Sequence, residues 1–364
     1  MIKIARQSEI SSARTGTLKL AHGTVKTPFF MPIATKASVK AIDSFDLENL
    51  GAEIILSNTY HLMLRPGTEI IKKAGGLHKF MNWRRPILTD SGGFQIFSLA
   101  GQRKIKEDGV VFRSHIDGQK FILTPELALK IQKDLGSDIA MALDVCAPYP
   151  CSKKEAEEAV RLTTKWADIS KKQKMAKGQK VFAIIQGSVY RDLRKQSAGE
   201  LVDLEFDGYA VGGLAVGEPR AKMMEILDYT VPALPADKPR YLMGVGQPEE
   251  IVGAVRRGID MFDCVLPTRN ARHGLLYVFT GAAKLSGNKF YKTLHITNEK
   301  FKKDFTPIDK NCSCYSCKNY SRAYLRHLFS AGEPLALRLA TIHNVNFYLE
   351  LMRRIRKEIN SGKL

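Results

Sequence analysis

Val181-Phe182-Ala183-Ile184-Ile185-Gln186-Gly187 runs five apolar residues without a charge and then stops on an amide and a glycine. A short apolar run bounded by turn residues reads as a strand buried on both faces, and such strands belong to parallel sheets covered by helices. Seven more runs of this kind stand on either side: Phe29–Ile33, Glu53–Ser57, Ile87–Thr89, Ile139–Leu143, Gly208–Val211, Arg240–Met243 and Met261–Phe262. Segments such as Lys153–Lys174 and Pro248–Arg257 lie between them, with helical periodicity and Gly or Pro punctuation. Eight alternating units over about 240 residues predict an α/β chain folded as a (β/α)8 TIM barrel. A doubly wound sheet is the runner-up, but no glycine-rich dinucleotide fingerprint follows the first run.

The flanks give the domain plan. Residues 1–27 carry Thr17-Leu18-Lys19-Leu20 and a His22-Gly23 turn, which predicts a β-hairpin cap over one end of the barrel. The barrel takes residues 28–266, interrupted at 103–122 by a hairpin insertion around Asp117-Gly118. Beyond it the alternation stops, and 267–364 is expected to form a separate C-terminal subdomain with helices over 321–329 and 335–356.

Cys312, Cys314 and Cys317 fall within six residues, and His343 follows 26 residues later on a helical pattern. Thiolate and imidazole are the ligands zinc prefers, and four protein ligands close a structural site with no position left for a substrate. One structural Zn2+ per chain is therefore expected. His327 competes with His343 for the fourth position; spacing favours His343. With three of six cysteines committed to metal, the chain fits a reducing compartment rather than a disulfide scaffold.

Composition narrows the partners. The 364 residues are 44% hydrophobic, enough to bury a full core, and no stretch approaches the roughly 20 apolar residues of a membrane helix. The first residues lack an apolar leader core, so a cytoplasmic location and no membrane partner are expected. Net charge is +19, and residues 265–364 hold 18 Lys and Arg against 6 Asp and Glu. Twelve excess charges in the last hundred residues are the footprint of a polyanion binder.

In a barrel the active site is built from the C-terminal ends of the strands, so the residue just past each run is informative. Here those residues are polar: Asp90-Ser91-Gly92-Gly93-Phe94, Asp144-Val145-Cys146, Gln186-Gly187, Gly212-Gly213-Leu214 and Asp263. Three carboxylates and an amide converging on one mouth imply acid/base or nucleophilic work on a polar ring. Glycosyl transfer needs such a pair, one carboxylate attacking the anomeric carbon while the other moves the proton. A metal hydrolase would want histidines at these ends, and the runs end in none. Cys264 beside Asp263 reads as a packed thiol. The following Thr268-Arg269-Asn270-Ala271-Arg272 suits phosphate and exposed-base contacts beside the chemistry.

These residues resemble the bacterial tRNA-guanine transglycosylases, the queuine tRNA-ribosyltransferase family. The matching runs are Thr89–Gln95, Ile185–Ser188, Val211–Glu218, Tyr241–Gly246, Asp260–Arg269 and the Cys312 to His343 set, spanning nearly the whole chain in order. The resemblance implies that Asp263 is the nucleophile forming a covalent ribosyl intermediate and that Asp90 is the general acid/base. It implies that Asp144 and Gln186 read the polar edges of the flipped base, with Ser91, Gly92, Gly93 and the backbone of Gly213 and Leu214 around it. Phe94 and Met243 would sandwich the ring, while Cys146 and Val216 shape the pocket for 7-aminomethyl-7-deazaguanine (preQ1). Gly244, Val245, Gly246 and Gln247, with Thr268 to Arg272, would hold the tRNA anticodon loop, and Tyr320, Tyr324 and His327 would line a homodimer interface. Two positions depart from the family pattern: Val145 stands where bacterial members commonly have Glu, and His273 where Asn is commoner. A non-catalytic tRNA-binding subunit would not need both Asp90 and Asp263, and a barrel glycoside hydrolase would leave the cysteine loop and basic segment idle.

Overall fold

The computed structural model describes residues 2–99, 103–281, 285 and 290–364. It opens with β1 (Ile2–Gln7), β2 (Arg14–Leu20) and β3 (Gly23–Thr27), a three-stranded antiparallel sheet in place of the two-stranded hairpin expected there. Next come β4 (Phe29–Met31) and β5 (Ile33–Ala34), two halves of one strand parted at Pro32, then β6 (Ile55–Ser57) and β7 (Ile87–Thr89). The insertion holds β8 (Arg103–Lys106), β9 (Gly109–Arg113) and β10 (Lys120–Leu123); the Asp117-Gly118 turn joins the last two, and β8 adds a third strand to the expected hairpin. The barrel continues with β11 (Ile139–Met141), β12 (Lys180–Ile185), β13 (Gly208–Val211), β14 (Arg240–Leu242) and β15 (Met261–Asp263), and β16 (Leu275–Phe279) pairs with β17 (Tyr291–His295) beyond it.

The barrel sheet runs β4-β15-β14-β13-β12-β11-β7-β6-β5, parallel throughout. Because β4 and β5 are one broken strand, the nine pieces make eight positions and the ring closes. All eight apolar runs of the sequence lie on these strands. Side chains alternate as a period of two demands. Phe29, Met31, Leu56, Leu88, Ile139, Met141, Phe182, Ile184, Ala210, Tyr241 and Met261 fill the interior. Phe30, Ala183, Ile185, Tyr209, Val211, Leu242 and Phe262 face the helices.

Leu18, Leu20 and Val25 join the interior cluster, so the N-terminal sheet plugs the end where the strands begin. Asp138 fastens it there, accepting from His22 N at 2.8 Å and from Ile87 N at 2.9 Å. The opposite end is left to the site.

The helix Pro334–Asn360 is shared between the two parts of the chain. Its residues Phe347, Tyr348, Leu351, Met352, Ile355 and Ile359 pack with Phe30 and Phe262 on the outside of the barrel. Arg338 pairs with Asp46 on the first barrel helix, Ser44–Leu50, at 2.8 Å. The last helix of the chain thus covers the barrel wall between its first and seventh helices, and the cysteine loop is inserted ahead of it. No helix among the described residues is long and apolar enough to cross a membrane.

Candidate active site and metal centre

Asp90 stands one residue past β7 and Asp263 ends β15, so both reach the same mouth, and both are under 10% exposed. Asp90 Oδ1 accepts from Thr59 N at 2.9 Å and Gly92 N at 3.2 Å, and Oδ2 accepts from Asn58 Nδ2. Burial pushes its carboxyl up to about 7, helped by the charge of Asp263 and opposed by those donors. Asp263 Oδ1 accepts from Tyr241 Oη at 2.5 Å and Gly244 N at 2.9 Å. Burial raises it too, and these two donors oppose the rise by favouring the ionised form. Two buried carboxyls at one mouth, each held by its own set of donors and Asp90 poised near neutrality, suit separate proton-transfer and nucleophilic roles.

Across the mouth, Asp144 follows β11, with Oδ1 accepting from Ser91 Oγ at 3.1 Å and Oδ2 from Gln186 Nε2 at 2.7 Å. Burial raises its carboxyl to about 6. Gln186 is fixed in turn by its own backbone N–H, which donates to Ser197 Oγ at 3.1 Å. Gly93 N donates to Ser91 Oγ at 3.2 Å, and Gly92 takes φ +79°, a left-handed turn that suits glycine and lets the chain pass close to Tyr60. Phe94 is half exposed and Met243 half-buried, the latter packed against the barrel-interior cluster. Cys146 has its thiol pushed up to about 12 by burial and the Asp144 charge, so it is a neutral wall group. Val216 caps the Gly212–Glu218 loop, where Glu218 accepts from Ala215 N at 2.6 Å and Val216 N at 3.1 Å. Phe94, Cys146 and Val216 also border a cavity of about 1140 Å³ reaching to Tyr149 and the insertion strand β8.

The expected anticodon-loop residues divide by exposure. Val245, Thr268 and Ala271 are buried and form the floor of their loops. Gly246 lies against Cys264 and its carbonyl accepts from Tyr348 Oη at 2.6 Å, while Gln247 caps the helix Pro248–Arg256. Arg269 is exposed, Asn270 donates to Tyr277 Oη at 2.6 Å, and Arg272 donates to Thr268 O at 2.9 Å. Cys264 is buried with its thiol well above its ordinary range, as a packed side chain should be.

Near the C-terminus, ligand atoms of Cys312, Cys314, Cys317 and His343 lie within 4.8 Å of one another. His343 Nδ1 is 3.7, 3.8 and 3.3 Å from the three Sγ atoms. A tetrahedral zinc with ordinary bond lengths would set sulfur-to-nitrogen edges of about 3.6 Å, so the donor set fits such an ion. The far ring nitrogen, Nε2, sits 2.7 Å from Tyr277 O, which orients Nδ1 toward the thiols, and Asn346 Nδ2 donates to Cys312 Sγ at 3.2 Å. His327 is not in this cluster; it neighbours Tyr324, whose ring stacks on Tyr320 at 5.4 Å.

Sequence reasoning missed three groups. Asn58 and Thr59 stand just past a strand run, so the strand-end rule applied to that run would have found them. Tyr241 points into the barrel by strand phase, but nothing local marks its oxygen as the partner of Asp263. Arg194, in the first turn of the helix Arg191–Asp203 and fully buried, carries no local signal.

The fold and site together define an enzyme of the (β/α)8 class with a separate Cys3His centre. Residues 9–364 match the model of the queuine tRNA-ribosyltransferase family. The chain is 54% identical over 363 residues to a queuine tRNA-ribosyltransferase of Thermoanaerobacter sp. (strain X514), covering 100% of this chain and 94% of that one. It is 54% identical over 354 residues to one of Nitratidesulfovibrio vulgaris (strain DP4), covering 97% and 92%. The chain belongs to the queuine tRNA-ribosyltransferase family.

Proposed function

We propose that the chain exchanges guanine at wobble position 34 of GUN-anticodon tRNAs, those for Asp, Asn, His and Tyr, for preQ1. The reaction class is that of the family: tRNA-guanine transglycosylation, a pentosyl transfer in queuosine synthesis. The observation that carries the finer reading is the pair Asp90 and Asp263, both buried at one mouth and differently bonded.

In the first half, Asp263 attacks C1′ of the ribose. An ester bond forms, the C1′–N9 bond breaks, and the leaving guanine takes its proton at N9 from Asp90. In the second half, preQ1 gives its N9 proton to Asp90 and attacks C1′, and the ester bond breaks to restore Asp263. Asp144 and Gln186 read the polar edge of each base, Gly213 and Leu214 offer backbone groups, and Phe94 and Met243 hold the ring faces. Arg269 and Arg272, beside Asp263, suit the phosphates of the anticodon loop, and the basic C-terminal segment draws the polyanion in.

The Cys3His cluster would hold Zn2+, which contributes folding free energy there; the exchange needs none of its chemistry. A homodimer through Tyr320, Tyr324 and His327, and a cytoplasmic location, complete the reading. The test is release of labelled guanine from tRNA on addition of preQ1. No release would overturn the assignment.

A further inference from the structure

We infer that Arg194 is a positioning residue for the base, fixing and polarising the two peptide units of the Gly212-Gly213-Leu214 turn that meet the ring. The inference rests on the transglycosylase reading of the site. Arg194 lies on the helix Arg191–Asp203, outside the barrel mouth, and is 0% exposed. Its guanidinium spans two strand ends. Nε donates to Ser188 O at 2.8 Å, Nη1 to Ile185 O at 3.0 Å and Gly212 O at 2.7 Å, and Nη2 to Gly213 O at 3.2 Å.

These acceptors are all backbone carbonyls, and among the described residues Arg194 makes no ion pair. A cation buried without a carboxylate beside it is expensive, and an apolar side chain would fill the same space at less cost. Burial lowers the guanidinium only to about 10, so it keeps its charge at neutral pH. Filling space therefore does not account for it, whereas the location of the four carbonyls does. Ile185 and Ser188 bracket Gln186, and Gly212 and Gly213 form the turn facing it.

A donor on a peptide oxygen strengthens the N–H of the same peptide unit. Gly212 O shares its unit with the N–H of Gly213, and Gly213 O with the N–H of Leu214. The charge of Arg194 thus acts on the two N–H groups offered to an exocyclic oxygen of the base. The turn has no slack to find another pose. A Cβ on Gly213 would lie 2.4 Å from Gln186 Oε1 and 3.4 Å from Arg194 Nη2, and one on Gly212 would lie 2.9 Å from Gln186 Nε2. Gln186 is itself held by Asp144 at 2.7 Å, so arginine, turn and edge-reading pair form one frame.

The test compares wild type with Arg194→Lys and Arg194→Met in the exchange of labelled guanine into tRNA, with KM taken separately for base and tRNA. In a second arm 2-aminopurine, which lacks the oxygen that would accept from the turn, is used as a competing base. In Arg194→Lys, KM for guanine should rise about tenfold while KM for tRNA stays put, and the preference for guanine over 2-aminopurine should shrink by a similar factor. An unchanged guanine KM, an equal rise in both KM values, or an undiminished preference would overturn the inference, as would a fall in kcat alone, which a merely structural arginine would give. Arg194→Lys keeps the cation and carries the test if Arg194→Met does not fold. A measurement on wild type guards both: the Arg194 side-chain NMR signals should shift when guanine is added, and unmoved signals overturn the inference. Absence of any guanine release by wild type would instead remove the transglycosylase reading on which it stands.

Discussion

The phenol of Tyr241 donates to Asp263 Oδ1 at 2.5 Å, reaching it from the adjacent strand of the barrel. Burial disfavours the aspartate's charge, and the phenol, with Gly244 N, restores part of it. An attacking carboxylate must be ionised and aimed, and this bond serves both needs. Asp263→Ala should abolish a denaturant-resistant protein–RNA adduct while leaving tRNA binding largely intact. Tyr241→Phe should still form the adduct, at a rate lower by about 10- to 100-fold, since one hydrogen bond to a charged group is lost. Adduct persisting in Asp263→Ala would show that another residue attacks.

Asp90 makes opposite demands on stability and chemistry. Its folded carboxyl sits near 7 against an ordinary 3.8. Below 3.8 it is protonated in both states, and as pH rises through 7 the fold must bear a buried charge, so stability is present at low pH and lost at high. Asp90→Asn should therefore gain stability relative to wild type as pH climbs from 4 to 8, by about 4 kcal/mol at most, less the cost of facing an amide against Asn58. Turnover should collapse in the same variant. A melting-temperature difference that does not grow with pH would show the carboxyl is not raised, and full turnover would remove Asp90 from proton transfer.

Metal content separates the two histidines. Cys312→Ser, Cys317→Ser and His343→Ala should each lose the ion and destabilise the C-terminal segment by upwards of roughly 5 kcal/mol, whereas His327→Ala should keep it. Elemental analysis of the purified variants identifies the ion as well. Because Pro334–Asn360 also covers the barrel, metal loss should expose amides on the barrel side of that helix to hydrogen exchange. Stoichiometric zinc in a Cys312→Ser, Cys317→Ser double variant would mean the ligands are wrong.

Val216 should set the size of the incoming base. Its branched side chain, half-buried, borders the cavity of about 1140 Å³, and its loop is held by Glu218, which accepts from Val216 N at 3.1 Å. Wild type should accept preQ1 and handle the bulkier queuine poorly, and Val216→Gly should gain queuine incorporation at a cost of about 1–2 kcal/mol in stability. Equal incorporation of both bases by wild type would refute the steric reading.

The eight strands were legible because burial on both faces leaves a local mark: each must be a short apolar run, and Val181–Ile185 could hardly be anything else. Strand phase then placed Asp90, Asp144, Gln186 and Asp263 at one mouth, since parallel strands with equal handedness end on the same side. The cysteine triplet was legible for the same reason, its ligands being close in sequence. What the sequence left open depends on contacts between distant segments. Spacing favoured His343 over His327 without deciding between them, and only the packing of the long helix over the cysteine loop brings the His343 ring to the thiols. Arg194 looks like any arginine on a charged helix until the turn after β13 closes over it. The titration of Asp90 is set by how completely the barrel mouth excludes water and by a charge 173 positions away. Periodicity records which face of an element is buried, but the partner that buries it is chosen by the closure of the chain, and that choice fixes electrostatics, ligand identity and the posture of the base-reading turn.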